Sequence, residues 1–234
     1  MPRFDWIGLD ADDTLWHTEG LYTLTQEQFV ALLALYHNED WIRERLAHAE
    51  EANLAHFGYG IKAFALSMVE TAIELSEGRV TGAELHPLLE RVKAMLSAEI
   101  ELLEGVEETL AALSARYPLM LITKGDSFEQ GGKIRRSGLA QYFRAVEIVN
   151  DKSSADYEAL FARHGVTAAR FLMAGNSLRS DILPVLELGG SAVHVPYHTT
   201  WQHEMAEAPA ADRPGFFSIQ RLSDLPALLA RLEK

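Results

Sequence analysis

The stretch Ile7-Gly8-Leu9-Asp10-Ala11-Asp12-Asp13-Thr14-Leu15 places two carboxylates, two residues apart, directly after a short apolar run. The run Phe4–Leu9 has the length and composition of a buried strand. Acids spaced in this way on an emerging strand can point into one cleft, where crowded negative charge raises a pKa or recruits a cation. The simpler alternative is that Asp12, Asp13 and Thr14 form a turn and cap a helix.

Later apolar runs repeat the pattern of this first strand, with helical spacing between them. The predicted strands are Leu119–Thr123, Ala145–Val149, Arg170–Ala174, Ser191–Val195 and Gly215–Ile219, and the helices between them are Phe128–Ser137, Tyr157–His164 and Asp181–Leu188. Strands that alternate with helices imply right-handed crossovers and a parallel sheet covered on both faces. We therefore predict an α/β, Rossmann-like core that ends in a short helix, with Ser223 as its N-cap and Pro226 in its first turn.

The region between the first and second strands has helical periodicity and no strand signal. Helices are predicted near Gln26–Tyr36, Glu39–Phe57, Ile61–Ser76 and Gly82–Glu99. Thr25 with Gln28, and Thr81 with Glu84, have capping-box spacing. The sequence thus predicts an α/β core made of residues 1–18 and 101–234, with a four-helix domain, residues 19–100, inserted into it.

Polar residues follow the later strands where a parallel sheet binds its ligands, beyond the carboxyl ends. Thr123 can donate to a phosphate oxygen together with backbone N–H groups, with Lys124 beside it as a cation. Lys152 follows the third strand, and Asn176 and Asp181 follow the fourth with oxygens suited to a hard cation such as Mg²⁺. Each residue also has a simpler interpretation as a helix cap or a solvated charge. Their order along the chain favours convergence at one edge of the sheet.

Composition excludes several function classes. The 234 residues carry a formal net charge of −13 and include no cysteine, which rules out disulfides, thiolate catalysis and cysteine zinc sites. An acidic surface repels phosphate backbones, so we predict no nucleic-acid partner, although a local lysine and a cation could still bind a small phosphorylated metabolite. The N-terminal residues have no secretory pattern and no apolar stretch could span a bilayer, so we expect a cytoplasmic protein without a membrane partner. The sequence does not specify an oligomeric state.

Taken together, Asp10-x-Asp12-x-Thr14, Thr123, Lys152 and Gly175-Asn176-x-x-x-x-Asp181 resemble the four motifs of the haloacid dehalogenase-like hydrolases. The resemblance covers essentially the whole chain, since the helical insert lies where that superfamily places a helical cap. The segment from Leu121 to Asp126 is similar to the nucleotidase and sugar-phosphatase branch.

The resemblance implies a magnesium-dependent phosphatase. Asp10 would attack phosphorus and form an aspartyl-phosphate, and Asp12 would protonate the leaving oxygen and then help to deprotonate water. Mg²⁺ would lie between Asp10, the backbone carbonyl of Asp12 and the loop that carries Asn176 and Asp181. The implied phosphate-binding residues are Thr123 and Lys152, with Lys124 as a further candidate.

Two features bear on the alternatives. Asn176 stands where the family usually has an acid, which predicts weaker Mg²⁺ binding or, in the alternative interpretation, a non-catalytic protein that binds a phosphorylated ligand. Asp12 argues against dehalogenation, because a halide leaves without a proton. Cleavage of a phosphonate would need a Schiff-base lysine from the cap, for which Lys62 and Lys93 are the candidates.

Aromatic residues and histidines near these motifs have structural interpretations as well. Trp16 is expected to pack where the two domains meet rather than to line a substrate pocket. His194, His198 and His203 surround Pro196, so they are expected in a surface loop that could border the site and not on one helix face.

Overall fold

The computed structural model describes residues 3–199, 201 and 204–233. By their internal contacts these residues form two compact units, Met1–His17 with Ile100–Lys234, and Thr18–Glu99. The first unit contains the sheet and the second contains helices, so the predicted fold class of an α/β core with an inserted four-helix domain is confirmed. The role of the insert as a cap remains a prediction.

The sheet has six parallel strands in the order β3-β2-β1-β4-β5-β6. Their bounds are β1 Trp6–Leu9, β2 Leu119–Lys124, β3 Ala145–Val149, β4 Phe171–Gly175, β5 Ser191–His194 and β6 Phe216–Ser218. β1 is central and pairs with β2 on one side and β4 on the other. The carboxyl ends of these three strands therefore lie side by side, which is where the predicted site residues are found.

Buried apolar side chains explain the central strands. All five residues of β4 are buried, as are the first five of β2, because helices cover both faces of the sheet. Gly8 lies in β1 where a Cβ atom would come within 2.4 Å of the Phe171 ring, so only glycine allows the two strands to pack at this point.

The helices of the α/β unit begin where capping side chains follow the strands. They are α5 Val106–Ser114, α6 Ser127–Ser137, α7 Ser154–His164, α8 Leu183–Glu187 and α9 Leu225–Leu232, and α1 to α4 belong to the insert. Asp126 caps α6 by accepting from the Glu129 amide at 2.9 Å, and Ser153 forms a capping box with Asp156 at the start of α7. Both helices thus begin within a few residues of a strand end. Helix α5 was not predicted.

The inserted unit contains α1 Glu19–Leu33, α2 Glu39–Phe57, α3 Ile61–Leu75 and α4 Gly82–Ser97 around a core of its own. The predicted capping box of Thr81 and Glu84 starts α4. The one predicted for Thr25 is wrong, because α1 begins six residues earlier. The Thr25 hydroxyl instead donates to the Leu21 carbonyl, one turn back within the helix.

Two further predicted boundaries are wrong. The helix expected to begin at Asp181 starts as a π-helical turn, Leu178–Ile182, capped by Ser177. Pro184 follows in the first turn of α8 and has no N–H for a regular hydrogen bond, which favours the wider turn. At the C-terminus the N-cap of α9 is Asp224 and not Ser223, which lies in a preceding 3₁₀ turn.

No helix in the described part of the chain combines the length and the apolar character needed to cross a bilayer.

Candidate active site

The two predicted acids, Asp10 and Asp12, follow the last residue of β1 and lie at the carboxyl edge of the sheet. The backbone N–H of Asp10 donates to the Ala174 carbonyl on β4 at 3.0 Å, so the strand pairing continues to this residue. The chain then turns at Asp13, which has a left-handed φ of 60°, and the Asp13 N–H donates to the Trp16 carbonyl at 2.7 Å. Asp10 is therefore fixed by the sheet, and Asp12 by the turn that follows it.

A cluster that we call the Asp10 centre consists of Asp10, Thr14, Lys152 and Asp181. The Lys152 ammonium lies 2.5 Å from Asp10 Oδ1 and 2.7 Å from Asp181 Oδ1. The Thr14 hydroxyl donates to the other oxygen of Asp10 at 2.9 Å. The exposed fractions of the Lys152, Asp10 and Asp181 side chains are 3%, 9% and 1%, so two carboxylates and one ammonium are buried together.

Burial dominates the electrostatics of this centre. Burial, together with the neighbouring Asp181 carboxylate and against the opposing effect of Lys152, raises the pKa of Asp10 to about 7. Burial alone would lower the pKa of Lys152, but the carboxylates of Asp10 and Asp181 raise it well above its ordinary value. The lysine therefore stays charged, and when both carboxyl groups are ionised they carry more negative charge than it balances.

The loop after β4 holds Asp181 against the strand end. A Cβ atom on Gly175 would lie 2.3 Å from Asp181 Oδ2, so the carboxylate packs on the glycine backbone where no other residue fits. The Ser177 N–H donates to the same oxygen at 3.0 Å. The neighbouring Asn176 donates its own N–H to the Thr14 hydroxyl at 3.2 Å, which ties this loop to the Asp10 centre.

The carboxylate of Asp12 lies in a second cluster, the Asp12 centre, which also contains Trp16, Glu129, Gln130 and Lys133. The Trp16 indole N–H donates to Asp12 Oδ1 at 2.7 Å, and Gln130 Nε2 donates to Oδ2 at 2.8 Å. Lys133 Nζ lies 3.0 Å from both oxygens and 3.2 Å from Glu129 Oε1. Burial would lower the pKa of Lys133, but Asp12 and Glu129 raise it.

The two candidates on β2 have different surroundings. Thr123 is buried at the penultimate position of the strand, and Lys124 is the last residue. The Lys124 ammonium forms an ion pair with Glu204 and approaches the Ser180 hydroxyl at 3.1 Å. Glu204 also accepts from the hydroxyls of Ser177 and Ser180, both at 2.5 Å, so it binds the loop after β4 as well as the lysine.

Comparison with known proteins decides the family. Residues 4–189 match the model of the haloacid dehalogenase-like hydrolases. The crystal structure of a haloacid dehalogenase-like family hydrolase from Xanthomonas campestris is 38% identical, with a TM-score of 0.88 over 99% of this chain and 92% of that one. The chain belongs to the haloacid dehalogenase-like hydrolase family. The resemblance of its motifs to that family is confirmed.

Two more distant structures share the fold. A 2-haloacid dehalogenase from Pseudomonas syringae pv. tomato DC3000 is 23% identical, with a TM-score of 0.64 over 98% of this chain and 99% of that one. A predicted phosphoglycolate phosphatase from Haemophilus somnus is 19% identical, with a TM-score of 0.65 over 97% of this chain and 99% of that one. A comparison with curated proteins gave no significant match. Membership in the family therefore establishes a hydrolase and leaves open which bond it breaks.

In this hydrolase, the oxygens that could hold a hard cation come from few residues. Within residues 3–199, 201 and 204–233, no group of three or more His, Cys, Asp or Glu side chains is arranged to hold a metal ion. Two carboxylates, those of Asp10 and Asp181, meet on the Lys152 ammonium. Neutral oxygens close to them come from Thr14 and Asn176, whose Oγ1 and Oδ1 atoms are 3.4 Å apart.

Several residues of this haloacid dehalogenase-like hydrolase site were not identified from the sequence. Gln130 and Lys133 lie on the buried face of α6, and Glu204 lies in the loop after β5. The signal for the α6 residues is visible in hindsight, since Glu129, Gln130 and Lys133 are polar at a spacing that faces one side of a helix.

Trp16 and the histidines also have defined places. Trp16 is fully buried in the core of the α/β unit. His194 is the last residue of β5 and its Nε2 atom lies 3.1 Å from the Asn176 carbonyl, while His198 lies beyond the strand beside Tyr197. Burial lowers the pKa of His194. His203 lies outside the described residues.

Proposed function

We propose that this protein hydrolyses a small phosphate monoester with Asp10 as the nucleophile and Mg²⁺ as cofactor. The observation that carries the proposal is the Asp10 centre, in which a carboxylate at the end of the central strand lies against a buried lysine and a second acid. A lysine in this place can bind the oxygens of a phosphoryl group that approaches Asp10. A small phosphorylated metabolite as substrate and a cytoplasmic location are part of the same proposal.

The charge of the Asp10 centre supports a divalent cation. Two buried carboxylates share one ammonium, and the pKa of Asp10 is raised to about 7 by burial and by Asp181, so an additional positive charge would be stabilised here. Asp10, Asp181, the Asn176 amide oxygen and the Asp12 backbone carbonyl would hold Mg²⁺, which accepts one or two carboxylates and keeps several waters. When bound, the cation would offset the repulsion between the anionic nucleophile and the anionic substrate.

The proposed reaction consists of two displacements at phosphorus. In the first, an Asp10 oxygen forms a bond to phosphorus while the bond from phosphorus to the ester oxygen breaks. Asp12 enters this step protonated, gives its proton to that oxygen and is left as the carboxylate, and the alcohol leaves. In the second, Asp12 takes a proton from water, whose oxygen attacks phosphorus and releases inorganic phosphate from Asp10. Lys152 and Thr123 hold the phosphoryl oxygens throughout, and Lys124 is a further candidate for this role.

The presence of Asp12 favours a phosphate ester over a carbon–halogen bond. An alkoxide is a poor leaving group without a proton, whereas halide leaves as the anion, so a residue that delivers a proton is needed only for the ester. Phosphonate cleavage has little support, because its candidate lysines lie on α3 (Lys62) and α4 (Lys93) and the Lys93 ammonium is paired with Glu90 at 2.6 Å.

The test is phosphate release from a panel of phosphorylated metabolites and p-nitrophenyl phosphate with Mg²⁺, with Asp10→Asn measured beside the unaltered protein. We expect a loss of at least about 10³-fold in kcat for Asp10→Asn, because the nucleophile is removed. Asp13→Asn is the matched control, since it makes the same change three residues away and asparagine accepts the left-handed φ of Asp13. Equal activity of Asp10→Asn and the unaltered protein would remove Asp10 from the reaction.

A second candidate is a protein of the same fold that binds a phosphorylated ligand without turnover. It is favoured by Asn176, which removes one negative charge from the proposed cation site. It predicts thermal stabilisation by a phosphorylated metabolite together with no phosphate release from any compound of the panel. Phosphate release that depends on Asp10 would exclude it.

A further inference from the structure

The Asp12 carboxylate is held by side chains from two separate segments of the chain. Trp16 lies four residues further along, in the turn after β1, while Gln130 and Lys133 lie on α6. Gln130 Nε2 donates to the Lys124 carbonyl at 3.1 Å as well as to Asp12, so both of its N–H groups have acceptors. These contacts fix the position and the rotation of the Asp12 carboxylate without involving any residue of the Asp10 centre.

The buried face of α6 is unusual because it is largely polar. The exposed fractions of Glu129, Gln130 and Lys133 are 4%, 2% and 6%, on a helix that packs against the sheet. Removing a lysine and a glutamate from water is costly, and in proteins the replacement of a buried ion pair by apolar residues of similar size is often neutral or stabilising. Stability alone therefore does not account for this set of side chains.

Gly125 makes room for one of these contacts. Its φ is 139°, a conformation that side chains rarely adopt, and a Cβ atom would lie 3.0 Å from Gln130 Nε2. The glycine thus lets the Gln130 amide reach across the end of β2 to Asp12. Backbone and side chain are both arranged around the same carboxylate.

We propose that Lys133 and Gln130 are positioning residues that hold the Asp12 carboxylate in the orientation from which it serves the leaving oxygen. The inference rests on the proposed phosphatase function. Fixing a catalytic group in advance contributes to the rate because the group does not have to be ordered during the reaction. Release of Asp12 from this arrangement would let its carboxylate rotate and lower the rate of proton delivery.

Substrates with different leaving groups distinguish a positioning role of Lys133 and Gln130 from a purely structural one. An alkyl phosphate releases a basic alkoxide and depends on the proton from Asp12, whereas p-nitrophenolate leaves readily without one. A defect in the position of Asp12 should therefore appear with alkyl phosphates and not with p-nitrophenyl phosphate. General damage to the fold would lower both rates together.

The experiment measures kcat and KM for an alkyl phosphate of the metabolite panel and for p-nitrophenyl phosphate in Lys133→Met and Gln130→Leu. We expect kcat on the alkyl phosphate to fall about 10- to 100-fold, with less than about a threefold change for p-nitrophenyl phosphate and little change in KM. Lys133→Arg should restore part of the loss because it keeps a donor to Asp12. Arg135→Met, an exposed basic residue on the same helix, is the matched control and should behave as the unaltered protein.

Three outcomes would overturn the inference: equal losses on both substrates, no loss on either, or a further selective loss when Lys133→Met is added to Asp12→Asn. In the last case Lys133 would act without Asp12, since residues of one unit should not be additive. A crystal structure of Lys133→Met gives a readout independent of turnover. It should show the Asp12 carboxylate rotated, and an unchanged carboxylate would also refute the proposal. Failure of the proposed phosphatase function can be distinguished from failure of this inference, because the function is tested by phosphate release from the unaltered protein and from Asp10→Asn.

Discussion

The Asp10 centre and the Asp12 centre begin two residues apart in the chain, and each pairs an aspartate with a buried lysine. They differ in the other partners of the carboxylate. Asp12 is 25% exposed and accepts from an indole N–H and an amide as well as from its lysine. Asp10 is 9% exposed and shares its lysine with a second buried acid, with one hydroxyl as a further donor. Each lysine also contacts a second buried acid, Glu129 beside Lys133 and Asp181 beside Lys152. Asp12 has two neutral donors and contact with water besides its lysine, whereas Asp10 has one neutral donor, so Asp10 is the carboxylate whose charge an added cation could balance.

Removing each lysine is the strongest way to test this difference. Lys152→Met leaves two buried carboxylates without their cation, so we expect a loss of about 3–5 kcal/mol in the free energy of unfolding at pH 8. Lys133→Met also removes the ammonium beside a buried acid, Glu129, but Asp12 keeps its donors Trp16 and Gln130 and remains in contact with water, so we expect a smaller loss, about 2–4 kcal/mol. Urea unfolding of both variants without added metal measures the two losses. A larger loss for Lys133→Met would reverse the comparison.

The raised pKa of Asp10 predicts a pH dependence that Asp10→Asn should lack. The ordinary pKa of this carboxyl is 3.8 and the folded-state pKa is about 7, through burial first and then Asp181. Between these values the folded protein holds a proton that the unfolded chain has released. The stability contribution is therefore complete below pH 3.8 and falls as the pH rises towards 7, by up to about 1.4 kcal/mol per pH unit.

Urea unfolding from pH 4 to pH 8 in a chelator measures this contribution as the difference between the unaltered protein and Asp10→Asn. The subtraction removes most of the effect of acids common to both. The difference should change up to about pH 7 and then level off, and added Mg²⁺ at pH 8 should stabilise the unaltered protein more than the variant. A difference that does not change with pH would mean that Asp10 ionises in the folded protein as it does in the unfolded chain.

The two centres also differ in how much of them the sequence could predict. Asp10, Lys152 and Asp181 each follow a strand at the edge where a parallel sheet collects its ligands, so their meeting follows from topology. The partners of Asp12 on α6 lie within a predicted helix, and only their rotation about its axis brings them to the carboxylate. That rotation depends on where the helix begins and on how it packs, which a single sequence specifies poorly. Glu204 was missed for a related reason, because it reaches Lys124 from an irregular loop without periodicity.

The boundaries that were wrong have local causes of the same kind. Thr25 has the spacing of a capping box but lies inside α1, where its hydroxyl finds a backbone acceptor one turn back. The helix at Asp181 starts early because Ser177 caps it and a π-helical turn precedes Pro184. In both places the observed side-chain hydrogen bond to the backbone differs from the one that the sequence suggested. A short motif such as the capping box is compatible with more than one such hydrogen bond, so it does not by itself specify the helix boundary.

The smallest predicted effect concerns Thr14, which joins the Asp10 centre to the loop after β4. Its hydroxyl donates to Asp10 Oδ2 and accepts from the Asn176 N–H, so Thr14→Val should cost about 1–2 kcal/mol in unfolding free energy. Loss of a donor to the ionised carboxylate should also raise the pKa of Asp10 further, which extends the fall in stability to higher pH. Thr109→Val is the matched control, because that buried hydroxyl donates to the Gly105 carbonyl far from any acid of the site. If Thr14→Val and Thr109→Val lost the same stability at every pH, the Thr14 hydroxyl would contribute only to the packing of the turn after β1. The pKa of Asp10 would then not depend on the hydrogen bond from Thr14.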